Sequence, residues 1–374
     1  MTATMKAAQA GGEHWGLAAK TCIGILEPFP AGANLGLLYV TPGFADDLSS
    51  IVTFLRETTP ITHWFGAVGH GIFGPISEVR EGRAMAIMVG QVEAGALCPF
   101  ERFDPTDSAG FVALHGAWLA RQSAITGLVH GDPREPEMPG MVAGLAAAGN
   151  AFLIGGLTVA GENPAQVCGK VIGSGLSGVL MGDRVRLATG LSQGCTPIGP
   201  LHRVTEAVDS VVMALDGAPA LEALKAAAGD IIARDLKRAN GYIHIARPVE
   251  GSDGHEYVVR GLLAIDTRRG WLAVGERLCV GDRLMFVRRD ASAAQRDLKR
   301  MLTDLAKRID GQPIRGGVYV SCVARGAQMF GGDSRETEMI FDALGPFPLV
   351  GFSASGEICN DRLYGFTGIL ALFL

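Results

Sequence analysis

Several chemical signatures are missing from these 374 residues. The seven cysteines, at positions 22, 98, 168, 195, 279, 322 and 359, form no C-x-x-C pair, and their number is odd. No charged segment followed by an apolar core opens the chain, so the expectation is a reduced, cytoplasmic protein without a targeting segment. The eight histidines show no metal-ligand spacing and no H-E-x-x-H, so no metal is expected. No G-x-x-x-x-G-K-[ST] occurs to cradle a nucleotide phosphate. Basic residues number 33 against 38 acidic, a net charge of −5 without a run of either sign. That excludes the basic footprint of a nucleic-acid partner.

Two stretches mimic features that their context removes. Residues Met138 to Gly161 carry no charge, long enough for a membrane span. Gly149-Asn150 reads as a turn inside it, so the expectation is a helix (Met141 to Ala148), a turn and a buried strand (Phe152 to Val159), with no membrane insertion. "GSGLSG" at Gly173, Gly175 and Gly178 matches G-x-G-x-x-G. A dinucleotide fingerprint must open a helix, whereas "VLMGDRVRL" reads as strand. A hairpin connection is expected there, and no cofactor.

What is present is 48% hydrophobic residues, 52 glycines and an order that recurs three times. "LGLLYV" is an apolar strand, "DDLSSIVTFLRETT" has helical spacing, and "ITHWFGAVGHG" and "AMAIMVGQV" are strands. "AITGLVH" to "GVLMGDRVRLATG" and "GVYVSCV" to "LYGFTGILALFL" repeat the order. The second strands superpose as Gly66 to Gly71, Gly156 to Gly161 and Gly351 to Gly356, each with glycines five apart. The fold class is therefore α/β (mixed α+β): two lobes of mixed β-sheets flanked by helices, built from repeated β-α-β-β units. "HRVTEAVDSVVMALDG", a helix from Pro219 that Gly229 interrupts, and an antiparallel meander from "GYIHIARPV" to "GDRLMFVRRD" lie between the second and third units.

In each unit the first two strands end on one sheet edge, where open α/β sheets bind ligands. Candidate residues follow from this edge. Gly351 and Gly356 permit close backbone approach, or shape the sheet. Ser353 and Ser355 share one face. They do not form a nucleophile elbow, and no histidine follows His255 to complete a Ser, acid, His order. Arg325 could fork onto a carboxylate and Glu357 could accept an amine, or the two pair with each other. Cys322 ends a strand, where a thiol lowered by Arg325 would be a nucleophile. His70 and His130 also lie near strand ends.

Cys322, Arg325, Gly326, Gly351, Phe352, Gly356, Glu357 and Ile358 are the residues through which the third unit resembles the C-terminal FIST domain (F-box and intracellular signal transduction). "FLIGGLTVAGE" and "GLSQGCTPIGPLHRVTEAVDSVVMALDGAPALEAL" are similar to the N-terminal FIST domain. The resemblance implies an N-terminal extension (1–32), a FIST N-type domain (33–217), a connecting helix (218–240) and a FIST C-type domain (241–374). It implies a free-standing sensory protein that binds a small molecule, such as an amino acid, and serves a separately encoded signalling partner. The ligand-binding set would be Cys322, Arg325, Gly326, Gly351, Phe352, Ser353, Ser355, Gly356 and Glu357. Two alternatives stand beside it: a cysteine-dependent amidase or transferase using Cys322, and a protein-recruitment scaffold like the eukaryotic members.

Overall fold

A computed structural model describes residues 5–161, 165–229, 241–249 and 256–374. The chain forms two compact units, residues 1–192 with 296–374, and residues 193–295.

The first unit is built from three copies of one module, and the module is larger than β-α-β-β. Copy one runs as edge strand Lys6–Gly11, helix Trp15–Leu26, first strand Leu35–Val40, helix Leu48–Thr58 and second strand His63–Val68. A hairpin (Ile72–Phe73 with Glu78–Val79) and a last strand, Ala84–Gly90, complete it. Copy two repeats this order from Leu97–Phe100 to Leu176–Gly182, with first and second strands Ile125–Gly131 and Ala151–Leu157. Copy three has its edge strand at Leu187–Gln193, then Gly316–Cys322, helix Arg335–Leu344, Leu349–Ala354 and last strand Thr367–Phe373. Its edge strand and its helix Ala291–Ile309 are separated in sequence by the second unit. Residues 6–26, read from sequence as part of an extension, supply the edge strand and first helix of copy one.

Each sheet has the same order: edge, last, first and second strand, then a hairpin. The first and second strands are parallel. The hairpin always comes from another copy. Gln166–Cys168 of copy two pairs with the second strand of copy one, Glu357–Asn360 of copy three with that of copy two, and Ile72–Phe73 of copy one with that of copy three. Beyond the second strands the exchange closes in a ring of main-chain hydrogen bonds: Val159 N to Val68 O (2.9 Å), Ser355 N to Leu157 O (3.1 Å) and His70 N to Ser353 O (2.9 Å).

Register fixes which residues are equivalent. Gly66, Gly155 and Gly351 lie opposite Leu38, Val129 and Tyr319. A Cβ at these glycines would sit 1.7–1.8 Å from the facing carbonyl oxygen, so only glycine lets the parallel strands approach. The sequence superposition on Gly156 is thus one residue late in copy two. A spacing of five selects the wrong member of the Gly155-Gly156 pair.

Residues 138–157 form a helix, a left-handed Asn150 and a buried strand, as expected. No helix among the described residues is long and apolar enough to cross a membrane. "GSGLSG" joins Lys170–Ile172 to Leu176–Gly182, strands of two different sheets, so it is not a hairpin.

In the second unit, strand Cys195–Val208 pairs with both Val211–Leu215 and Arg283–Arg289, closing the sheet on itself. Arg283–Arg289 also lies beside Ile243–Pro248 rather than at the end of a meander. Helix Ala220–Ala228 ends at Gly229; the rest of the expected connecting helix, 230–240, lies outside the described residues.

Candidate functional site

The layer between each sheet and the helix that follows its first strand can be compared position by position. In copy one it contains Leu38, Val40, Trp64 and Val68, sealed by Val167 and Val171 of the donated hairpin, with Ile51, Val52 and Leu55 of the helix. In copy two the residues are Val129, Leu153 and Leu157, sealed by Ile358 and Leu363, with Met141, Val142 and Leu145. Both layers are apolar cores.

Copy three has the same backbone and a different chemistry. Leu38 and Val129 are replaced by Tyr319, Val40 and Gly131 by Ser321, and Val68 and Leu157 by Ser353. On the donated hairpin, the place of Val171 and Leu363 is taken by Glu78. From the helix, Glu336 and Thr337 are buried where the other copies present aliphatic side chains.

Glu336 is the centre of this layer. Its carboxylate accepts from the Tyr319 hydroxyl, Ser321 Oγ (2.9 Å), Arg325 Nε (3.3 Å) and the Gly326 amide (3.2 Å). Arg325 is buried and also reaches Ser192 O, Ser192 Oγ and Phe366 O, each at 3.5 Å. Its guanidinium lies over the Phe330 ring, 4.9 Å from the centroid. Gly326 has φ 98°, and a Cβ there would meet the Arg80 guanidinium at 2.5 Å. "RG" is thus explained: the arginine fills the layer, and the glycine turns its amide onto Glu336 while admitting Arg80. Arg80 pairs with Glu78, whose carboxyl burial pushes up to about 7 against the pull of Arg80.

The residues expected at the strand ends divide between two faces. Ser353 is buried on the Glu336 face, and its Oγ has no hydrogen-bond partner. Phe352 lies on the opposite face, where the copies meet. It stacks on Tyr39 (5.1 Å) and lies 5.7 Å from His130, whose Nε2 is 3.2 Å from the Tyr39 hydroxyl. Gly351 is the close-approach glycine of its copy, and the Gly356 carbonyl accepts from Leu157 N (2.8 Å).

Arg325 and Glu357 do not form the expected ion pair: the salt-bridge partner of Arg325 is Glu336. Glu357 instead accepts from Thr367 N (3.0 Å) and Thr367 Oγ1 (2.8 Å). Its equivalent in copy two is Gln166, which bonds Gly175 O (2.9 Å) and Ser177 Oγ (2.5 Å). Both side chains tie a donated hairpin to the returning strand of its own copy. Burial pushes the Glu357 carboxyl up to about 8, against the Thr367 hydrogen bonds.

Cys322 is not activated. Burial first, and then neighbouring Glu357, push its thiol far up, opposite to the lowering by Arg325 that the cysteine-dependent alternative requires. The strand exchange does bring His70 Nε2 to 2.9 Å from Ser355 Oγ, which chain order could not reveal. The Ser355 hydroxyl donates to Thr158 O (2.7 Å), and the Ala160 amide donates to His70 Nε2 (3.5 Å). Burial, then Arg80, hold the His70 ring below its ordinary value. Among the described residues no group of histidine, cysteine, aspartate and glutamate side chains is arranged to hold a metal.

Sequence reasoning missed Glu336, Tyr319, Ser321, Glu78 and Arg80. Superposing the first strands as well as the second would have exposed Tyr319 and Ser321 as polar departures from a shared apolar position.

Comparison with known proteins places this geometry. The FIST N domain matches residues 34–218 and the FIST C domain residues 220–360. An uncharacterized protein of Mycobacterium tuberculosis is 35% identical over 218 residues, 54% of this chain and 55% of the relative. One from Mycobacterium bovis is 33% identical over 216 residues, 54% of each chain. The match spans about half the length of these curated relatives. FIST domains are generally sensory domains of signal transduction, and with both of its domains matched in order, the chain belongs to the FIST family.

Proposed function

We propose that the protein is a small-ligand sensor whose ligand enters the polar layer of copy three and whose response is read by a separate signalling partner. One observation carries this reading. Two copies show that the module packs its sheet against its helix with apolar side chains, and the third fills the same positions with Tyr319, Ser321, Ser353, Glu78 and Glu336. Buried polar groups cost free energy unless paired, so a fold that has an apolar solution twice gains nothing in stability from this third arrangement. Recognition of a ligand accounts for that cost.

Ser353→Val places in copy three the residue that copy one has at Val68. Removing an unpartnered buried hydroxyl should leave the melting temperature unchanged or raise it, by about 1 kcal/mol of stability. A thermal-shift screen of small metabolites should find a compound that raises the melting temperature of the native chain and not that of the variant. A full ligand shift in Ser353→Val, or no shift with any metabolite on the native chain, would overturn the reading.

A further inference from the structure

The hydrogen bonding of this layer is one-sided. Four donors reach the Glu336 carboxylate, three of them converging on Oε2 and one, the Gly326 amide, on Oε1. The other carboxyl, Glu78, is taken by Arg80. The atoms of this layer that are buried and without a hydrogen-bond partner are Arg80 Nη2, Ser353 Oγ and Thr337 Oγ1, together with Glu78 Oε1, which the ion pair with Arg80 holds. Ser353 and Thr337 are almost wholly inaccessible, at 0% and 2% exposure.

These atoms belong to adjoining positions. Ser353 lies beside Ser321 in the parallel register, and its amide donates to Gly71 O (2.9 Å). A Cβ on Gly71 would meet Arg80 Cα at 3.0 Å and Arg80 Cγ at 3.2 Å. The Arg80 guanidinium lies against Gly326, whose amide bonds Glu336, and Thr337 follows Glu336 on the helix.

We propose that Arg80, Ser353 and Thr337 form a subsite for the carboxylate of a small organic acid, and that the ligand is a monocarboxylate and not a zwitterion or an amine. This rests on the sensor reading above and narrows it. A guanidinium and two hydroxyls supply hydrogens to an oxyanion. An ammonium group would meet carboxylates already paired with Arg80 and Arg325 and would face the Arg80 cation. With its carboxyl near 7, Glu78 can take up a proton and release Arg80 to an arriving anion. The Ile72–Val79 hairpin is the route in: its strands are only two residues each, its tip exposes Ile76, and the Glu78 amide is held by Ser334 Oγ (2.9 Å). Arg80, one residue beyond, is the partly exposed member of the trio.

Calorimetric titration of the full chain tests this with acetate, propionate, butyrate and pyruvate against acetamide, propionamide, glycine, alanine and inorganic phosphate. A monocarboxylate should bind at least tenfold more tightly than its amide and its amino-acid counterpart. Arg80→Gln should weaken that binding at least tenfold and Thr337→Val several-fold, with native circular dichroism in both. Tighter binding of an amino acid, an amide or phosphate would overturn the carboxylate assignment, as would no carboxylate binding or undiminished binding by Arg80→Gln. Should a metabolite of another class still bind and lose its effect in Ser353→Val, the assignment alone falls and the sensor reading stands.

Discussion

Glu336→Ala is expected to lose about 3–5 kcal/mol of unfolding free energy, the cost of removing one partner from a buried ion pair. The side chains of Glu336 and Arg325 are 0% and 1% exposed, so after truncation water cannot take over from the carboxylate. The Arg325 cation, the Tyr319 and Ser321 hydroxyls and the Gly326 amide would all lose an acceptor at once. For a domain whose total stability is about 5–15 kcal/mol, such a loss would show as a large fall in the urea midpoint. Glu336→Leu with Arg325→Leu should be less damaging than Glu336→Ala alone, because it removes both charges and approaches the apolar layers of the other copies. A urea midpoint for Glu336→Ala equivalent to less than about 1 kcal/mol of loss would refute the central place given to this carboxylate.

The second large effect is a pH dependence. The Glu357 carboxyl is pushed up to about 8 by burial, against about 4.3 in an unfolded chain. Between those values the folded chain holds a proton that the unfolded chain releases. Stability therefore falls as pH rises through this window and levels above it. Glu357→Gln removes this contribution while keeping an acceptor for Thr367, as Gln166 Oε1 accepts from Ser177 in copy two. The variant should match the native chain near pH 4 and be more stable by about 3–5 kcal/mol near pH 8, because each pH unit crossed between the two values costs the native chain about 1.36 kcal/mol. His130, whose buried ring is held down to about 3, imposes the opposite slope below its ordinary value. It is present in both proteins and cancels in the difference. A variant-minus-native difference that is flat from pH 4 to pH 8 would show that Glu357 is charged in the folded protein.

Much of the module was legible in the sequence because its elements carry strong local signals. Leu48, Ile51, Val52 and Leu55 recur at helical spacing, and all are buried in the helix expected there. The turn at Asn150 split an apolar run that length alone would have sent through a membrane. Pairing was not legible, because a period of two assigns a residue to a face and says nothing about which sheet receives the strand. Glu357 and Arg325 are close to strand ends in one copy, which made them look like partners. The hairpin carrying Glu357 is handed to another sheet, and Arg325 turns to a helix residue instead. Glu336 lies in the acidic first turn of an amphipathic helix, where a carboxylate is ordinarily solvated. Only the register between copies shows that it stands over a layer filled elsewhere with apolar side chains.

The ring of donated hairpins is a domain swap completed within a single chain, and it sets the order in which the molecule can be finished. The sheet of copy two stays open at the Ala151–Leu157 edge until residues 357–360 have been synthesised. The hairpin that closes copy three, at residues 72–79, must wait for Leu349–Ala354, almost the whole chain later. No copy can be completed on the ribosome from its own residues. Early strands present unpaired edges for most of synthesis, the state in which β-structure is most exposed to wrong partners. High contact order, with slow and concerted closure, is built into the topology.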